Sequence, residues 1–289
     1  NTTANDNTAV GYNAMNANTT GAQNTAVGKD ALDANTTAND NTAMGVGALG
    51  VMNGGLGKNC AFGNYSGDAI TTGGSNNCFG YQAGSAITTG SNNCAFGTQA
   101  LKSTTTSDFN CAFGQEALEA NTTGTSNVAM GYNASAASTT ATQNVCVGSN
   151  AGAQTNGGSN TYVGHYVGKD SDTGTYNTGL GHYAFCSDQN GTTSGSYNTC
   201  LGSRAGQVIT SGNSNVLIGW EAGKGIQNGA YNVCVGPEAG GTGQIASGDA
   251  QLYIARNNTG ANNSQTWIYG DGSGNLYQGN NSSTWSTTS

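Results

Sequence analysis

Asn24–Gly28 reads NTAVG; the same phrase stands at Asn7–Gly11, and NTAMG follows at Asn41–Gly45. The general form, Asn-x-x-apolar-Gly, starts again at Asn59, Asn76, Asn93, Asn110, Asn127, Asn144, Asn160, Asn177, Asn198, Asn215 and Asn232. Most starts are 17 residues apart; the exceptions are 18 (Asn41 to Asn59), 16 (Asn144 to Asn160) and 21 (Asn177 to Asn198). A short fixed period means that one small unit is stacked many times, each copy burying what it cannot bury alone. The repeat therefore decides the fold class before any single residue does.

Position by position, with the lead Asn as position 0, the phrase reads as a strand and a corner. Position 3 is always a sizeable apolar residue: Val10, Val27, Met44, Phe62, Phe79, Phe96, Phe113, Met130, Val147, Val163, Leu180, Leu201, Ile218 and Val235. These are expected to form the core ladder. Position 2 points to the opposite face of a strand, since side chains alternate with period 2. It too is mostly small and apolar (Ala9, Ala26, Ala43, Ala61, Cys78, Ala95, Ala112). A strand apolar on both faces is covered on both sides, so one face is expected to fill the coil and the other to meet a neighbouring chain. Position 4 is Gly throughout, from Gly11 to Gly236, as a corner with positive φ or close backbone approach requires. Ala at position 7 (Ala14, Ala31, Ala48, Ala83, Ala100) predicts a second short strand, and Thr-Thr pairs at positions 12 and 13 lead into a variable turn. The fold expected is an all-β parallel solenoid over residues 1–248. Residues 249–289 form a β-rich capping or trimerisation segment, in which QLYIA from Gln251 and TWIYGDGSGNLYQG read as a strand and a hairpin around Asp271–Asn275.

Composition narrows the partners. Only 8 % of the 289 residues are charged, Gly numbers 48, and Pro237 is the single proline. The net charge of −8 comes with no basic cluster to neutralise phosphates, which argues against nucleic acid. No apolar run approaches the ~20 residues of a membrane helix, so no membrane insertion is expected. The string NTTAND at Asn1–Asp6 recurs at Asn35–Asp40, and the chain is expected to open in mid-repeat.

The NTAVGxxAL units resemble the head repeats of trimeric autotransporter adhesins of the YadA type. That resemblance implies left-handed parallel β-roll coils and a side-by-side homotrimer. The longer coils, the eight cysteines and the lack of a visible stalk or anchor depart from that pattern. The segment Gln251–Ser289 resembles phage tail-fibre and tailspike-like proteins, where LYIA and IYGD segments precede a self-trimming intramolecular chaperone; the resemblance implies processing at or near Ser289.

Candidate chemistry is sparse. Seven of the eight cysteines fall on the first strand: Cys60, Cys94 and Cys111 at position 1, and Cys78, Cys146, Cys200 and Cys234 at position 2. They read as buried free thiols acting as small hydrophobes, with disulfides across chains as the alternative. His165 and His182 share position 5 of adjacent coils and are the only metal candidates, without a third ligand. Arg204, Glu221 and Glu238 share position 6 of successive coils; the two carboxylates are read as a charge ladder against a glycosidase pair. Tyr12, Tyr81, Tyr132 and Trp220 follow the corner Gly and, if exposed, can stack on sugar faces. Sequons at Asn18, Asn35 and Asn121, among others, are possible N-glycosylation sites.

The expectation is a non-enzymatic fibre protein without cofactor, the shaft or attachment region of a viral tail fibre. It lies outside the cell or on a virion and adheres to cell-surface polysaccharide. The alternative is a bacterial trimeric adhesin or extracellular filament subunit. A depolymerase using Glu221 and Glu238, and an ice-binding threonine array, rank below both.

Overall fold

The computed structural model describes residues 4–186, 193–241, 249–255, 266–270, 273, 276–278 and 284–285. The chain divides into two compact units, Asn1–Asn144 and Val145–Ser289. Each is a β-solenoid of about 17-residue coils, and no helix occurs among the described residues.

In the first unit the strands are β1 Thr8–Val10, β2 Thr25–Val27, β3 Thr42–Met44, β4 Cys60–Phe62, β5 Asn77–Phe79, β6 Cys94–Phe96, β7 Cys111–Phe113 and β8 Val128–Met130. Each is three residues long and pairs in parallel with the next coil, so that equivalent residues stand opposite one another: Ala43 opposite Ala61, Phe79 opposite Phe96. In the second unit β9 Val145–Val147, β10 Thr161–Val163, β11 Thr178–Leu180, β12 Thr199–Leu201, β13 Val216–Ile218 and β14 Val233–Val235 stack in the same way. There β15 Leu252–Ala255 adds a last parallel strand to β14. The direction then reverses: β16 Thr266–Gly270, β17 Leu276–Gln278 and β18 Thr284–Trp285 pair antiparallel in order. The strand and hairpin anticipated from LYIA and IYGD are thus present. Asp271, Gly272, Gly274 and Asn275 of the turn, and Ser289, lie outside the described residues.

The lead asparagines build the spine. Asn76 Oδ1 accepts both the backbone N–H of Asn93 at 3.0 Å and its side-chain amide at 3.1 Å; that amide also donates to Ser107 O at 2.8 Å. The same pattern links Asn198 to Asn215 and Asn215 to Asn232. A buried amide with donors and acceptor all engaged avoids the 1–3 kcal/mol or so of an orphaned polar group, which explains why no other residue type fills position 0. The corner glycine is equally constrained. Gly97 has φ +135°, and a Cβ there would lie 2.5 Å from Gly114 O in the next coil.

Two expectations are corrected. The core ladder faces the wrong way. Position 2 points inward, with Ala26, Ala43, Ala61, Ala95 and Ala112 fully buried, whereas position 3 lies on the outer face: Val10 is 58 %, Met44 40 %, Phe113 54 % and Met130 43 % exposed. The remaining members, Val27, Phe62, Phe79, Phe96, Val147, Val163, Leu180, Leu201, Ile218 and Val235, are half-buried or exposed on that same face. The physical reason is space. A coil with a single three-residue strand has a narrow interior, and the large side chains that fill it come from the opposite wall: Leu32, Leu49, Leu101 and Leu118 at position 8, Ile70, Ile87, Ile209 and Ile226 at position 11.

The second correction concerns the segment after the corner, which is no strand. Its residues alternate between ordinary and positive φ, as at Gln99 (60°) and Leu101 (51°). This turns successive amides to the coils on either side: Gln99 N–H donates to Tyr81 O at 2.9 Å and Leu101 N–H to Ala117 O at 3.0 Å, while Ala100 N–H closes a turn on Gly97 O at 3.2 Å. The backbone groups are satisfied without a ladder. Ala at position 7 does face inward, as expected: Ala31, Ala48, Ala83 and Ala100 are buried.

Candidate functional surface

With position 2 inside, positions 1 and 3 form the outer sheet face. In the first unit the position 3 column includes four phenylalanines on successive coils. Their rings stack in parallel: Phe62 on Phe79 at 4.9 Å, Phe79 on Phe96 at 4.5 Å, Phe96 on Phe113 at 5.5 Å. In-register strands repeat every ~4.8 Å, so identical side chains at one position meet face to face. Each stack adds to the sheet on its own coil, but its outer side is left to solvent. Beside it runs position 1, with Cys60, Asn77, Cys94 and Cys111 in adjacent rungs.

The cysteines divide by face. None of the eight is in a disulfide. Cys78, Cys146, Cys200 and Cys234 are buried in the inner column, and burial pushes Cys78 and Cys234 up to about 12. Those four fit the small-hydrophobe reading. Cys60, Cys94 and Cys111 do not, because they are only half-buried on the outer face. Cys186, off the strand, is buried.

All four proposed sugar-stacking rings, Tyr12, Tyr81, Tyr132 and Trp220, are exposed. Within the first unit the fold does not bring Tyr12, Tyr81 and Tyr132 together. Tyr81 stands four coils from Tyr12 and three from Tyr132, roughly 19 and 14 Å along the stack at the usual strand spacing. The structure shows closer aromatic groupings: Tyr65 edge-on to Tyr81 at 6.5 Å, Tyr166 stacked on Tyr183 at 5.1 Å, and Tyr176 on Tyr197 at 5.1 Å. Tyr176 and Tyr197 both sit just before the lead Asn of their coils, so the same period would have revealed them.

His165 and His182 stack with centroids 5.3 Å apart, both exposed. No group of three or more His, Cys, Asp or Glu able to hold a metal ion occurs among the described residues. Glu221 is fixed by Arg204 and Lys224, each 3.0 Å away. Burial alone would raise its carboxyl, but hydrogen bonds and charge from Lys224 and Arg204 outweigh it and hold the group below its ordinary value. A carboxylate kept ionised in this way is a poor general acid.

The sequons call for a correction. Asn18, Asn35 and Asn121 are buried, because position 11 faces the interior. Their amides are bonded to the backbone: Asn18 to Gly21 O at 2.9 Å, Asn35 to Ala38 O at 3.1 Å, Asn121 to Gly124 O at 3.0 Å. The folded chain does not offer these side chains to a glycosylating enzyme.

Comparison with protein-family models, curated proteins and solved structures gives no match. The outer faces of the two solenoids are therefore the ground for any functional reading.

Proposed function

We propose that this chain is a structural, non-enzymatic fibre protein, the shaft or attachment region of a viral tail fibre, whose copies pack side by side through the outer strand face. The observation that carries the reading is the apolar column of the first unit, Val10 to Met130, which a single chain leaves open to solvent. An apolar stripe that repeats at the coil rise is matched along its length only by a surface of the same rise, which a second copy supplies. Contiguous exposed apolar surface of this kind marks an association site. Three copies is the number implied by the resemblance of the NTAVG repeat to trimeric adhesin heads, and the LYIA and IYGD strands support a tail-fibre-like end.

Adhesion would rest on exposed rings, Tyr12, Tyr81, Tyr132 and Trp220, repeated in every copy. Individually weak stacking on sugar faces gains strength when several sites engage together. The setting consistent with this role is a virion or an extracellular surface.

Sedimentation equilibrium tests the proposal. A mass three times the 28.8 kDa chain is expected, reduced when Phe79, Phe96 and Phe113 are all changed to Thr. A monomer at micromolar concentration overturns it.

A further inference from the structure

The thiols at position 1 are chemically reactive groups that the fibre reading leaves unused. Cys94 and Cys111 are direct partners on adjacent strands. Being at the same position of in-register parallel strands, their side chains leave the sheet on one face and in one direction. Both are half-buried and free. That geometry is poor for a disulfide, which needs Cβ atoms about 3.5–4.5 Å apart and side chains converging on a bond of about 2.05 Å. It is well matched to a metal held between two sulfurs. Two metal–thiolate bonds of about 2.3 Å placed end to end span roughly 4.6 Å, close to the ~4.8 Å separation of neighbouring strands.

The geometry points to Cys94 and Cys111 as a two-coordinate site for a soft, thiophilic metal ion, with copper(I) as its biological member. Thiolates select soft ions, and two-coordinate binding needs only this pair. The surroundings favour the same class. Phe96 and Phe113, two residues on and on the same face, stack at 5.5 Å and place an apolar wall beside the sulfurs, where hydrated hard cations gain nothing. Cys60 is not part of the site, since Asn77 stands between it and Cys94. The inner cysteines are sealed in the core. Burial raises the Cys94 thiol, and the charge and hydrogen bond of Cys111 raise it further. Binding replaces the thiol protons, released to solvent, with two S–metal bonds.

The pair lies on the outer strand face through which copies are proposed to pack, but the site is built within one chain and does not rest on that packing. The test is an anaerobic titration of the whole protein with copper(I) against a chromophoric copper(I) chelator, followed also by the near-ultraviolet thiolate-to-copper band. One copper(I) per chain is expected. Cys94→Thr and Cys111→Val, each a residue type already found at position 1, should weaken binding at least 100-fold and remove the band. Cys60→Ser should change neither. Circular dichroism of the variants establishes that they fold. Failure of the folded wild-type protein to compete for copper(I), or binding undisturbed by Cys94→Thr, overturns the site. Sedimentation of the same variants should be unchanged, so failure here leaves the oligomer question separately answered.

Discussion

The two units fill the same narrow coil from opposite walls. In the first, the inner strand column is almost all alanine, and Leu32, Leu49, Leu101 and Leu118 reach across from position 8. In the second, the inner column carries Tyr162 and Leu217, with Gly168 and Gly223 at position 8 of those coils, whereas the coil with Gly179 in the inner column has the buried Phe185 at position 8. Gly168 leaves no room: a Cβ there would lie 2.6 Å from the Tyr162 ring. The Tyr162 hydroxyl is satisfied by Ser171 Oγ at 2.8 Å. A third wall takes part in both units, where Gly67, Gly84, Gly206 and Gly223 at position 8 come with Ile70, Ile87, Ile209 and Ile226 at position 11. The lesson is that the wall supplying a coil's bulky side chain is free to change. Position 8 has positive φ in either case. A leucine there accepts about 1–2 kcal/mol of backbone strain that glycine avoids, and core filling offsets it.

The sharpest way to break this comparison is to impose one unit's solution on the other. Gly168→Leu should drive a side chain into Tyr162 at a strained backbone position and cost about 3–5 kcal/mol, read as a fall in the urea midpoint. Pairing it with Tyr162→Ala should recover most of the loss. In the first unit, Ala95→Leu overfills a coil that already holds Leu101, with an expected cost of about 1–3 kcal/mol. Leu101→Gly in the same chain should restore stability to within about 1 kcal/mol, a coupling that a double-mutant cycle measures directly. Additive losses in either cycle would show that the walls do not share one volume.

The smallest effects separate the units by pH. Burial raises the Asp68 carboxyl of the first unit above its ordinary 3.8, ahead of opposing backbone hydrogen bonds. Its folded form binds the proton more tightly than its unfolded form, so its contribution worsens as pH rises through the folded value. Asp68→Asn should therefore stabilise at neutral pH, with the gain fading in acid. Glu221 of the second unit behaves oppositely. Its folded value is lowered, so its contribution is present above its ordinary 4.5 and lost as pH falls through the folded value. Glu221→Gln should destabilise slightly at pH 7 and have no effect at low pH. Melting temperatures across pH 3–8 check both signs.

Much of this was legible in the sequence because in-register stacking aligns identical residues. The period, the asparagine spine and the corner glycine all follow from the repeat, and the terminal hairpin from the strings TWIYG and LYQG on either side of a Gly-rich turn. Which face points inward did not. Positions 2 and 3 are both apolar, and the larger residue is the natural choice for a core; only the narrowness of a one-strand coil makes Ala95 the inner residue and Phe96 the outer one. The segment after the corner was misread as a strand because Gln99 and Leu101 give no sign of their positive φ. A sign was present in other coils, where glycine stands at position 8 in Gly67, Gly84, Gly152, Gly168, Gly206, Gly223 and Gly240. The buried sequons followed from the same gap, since position 11 reads as turn until the interior is located.

The inward and outward assignment of adjacent strand residues underlies the core, the association face and the thiol pair alike. Thermal melts of Ala95→Asp and Phe96→Asp, followed by circular dichroism, test it most directly. A carboxylate forced into the sealed interior at position 95 is expected to abolish the cooperative transition, since an unpaired buried charge is among the costliest substitutions known. The same residue at position 96 should leave a folded chain with a melting temperature within a few degrees of the parent. A folded Ala95→Asp beside an unfolded Phe96→Asp would contradict the assignment.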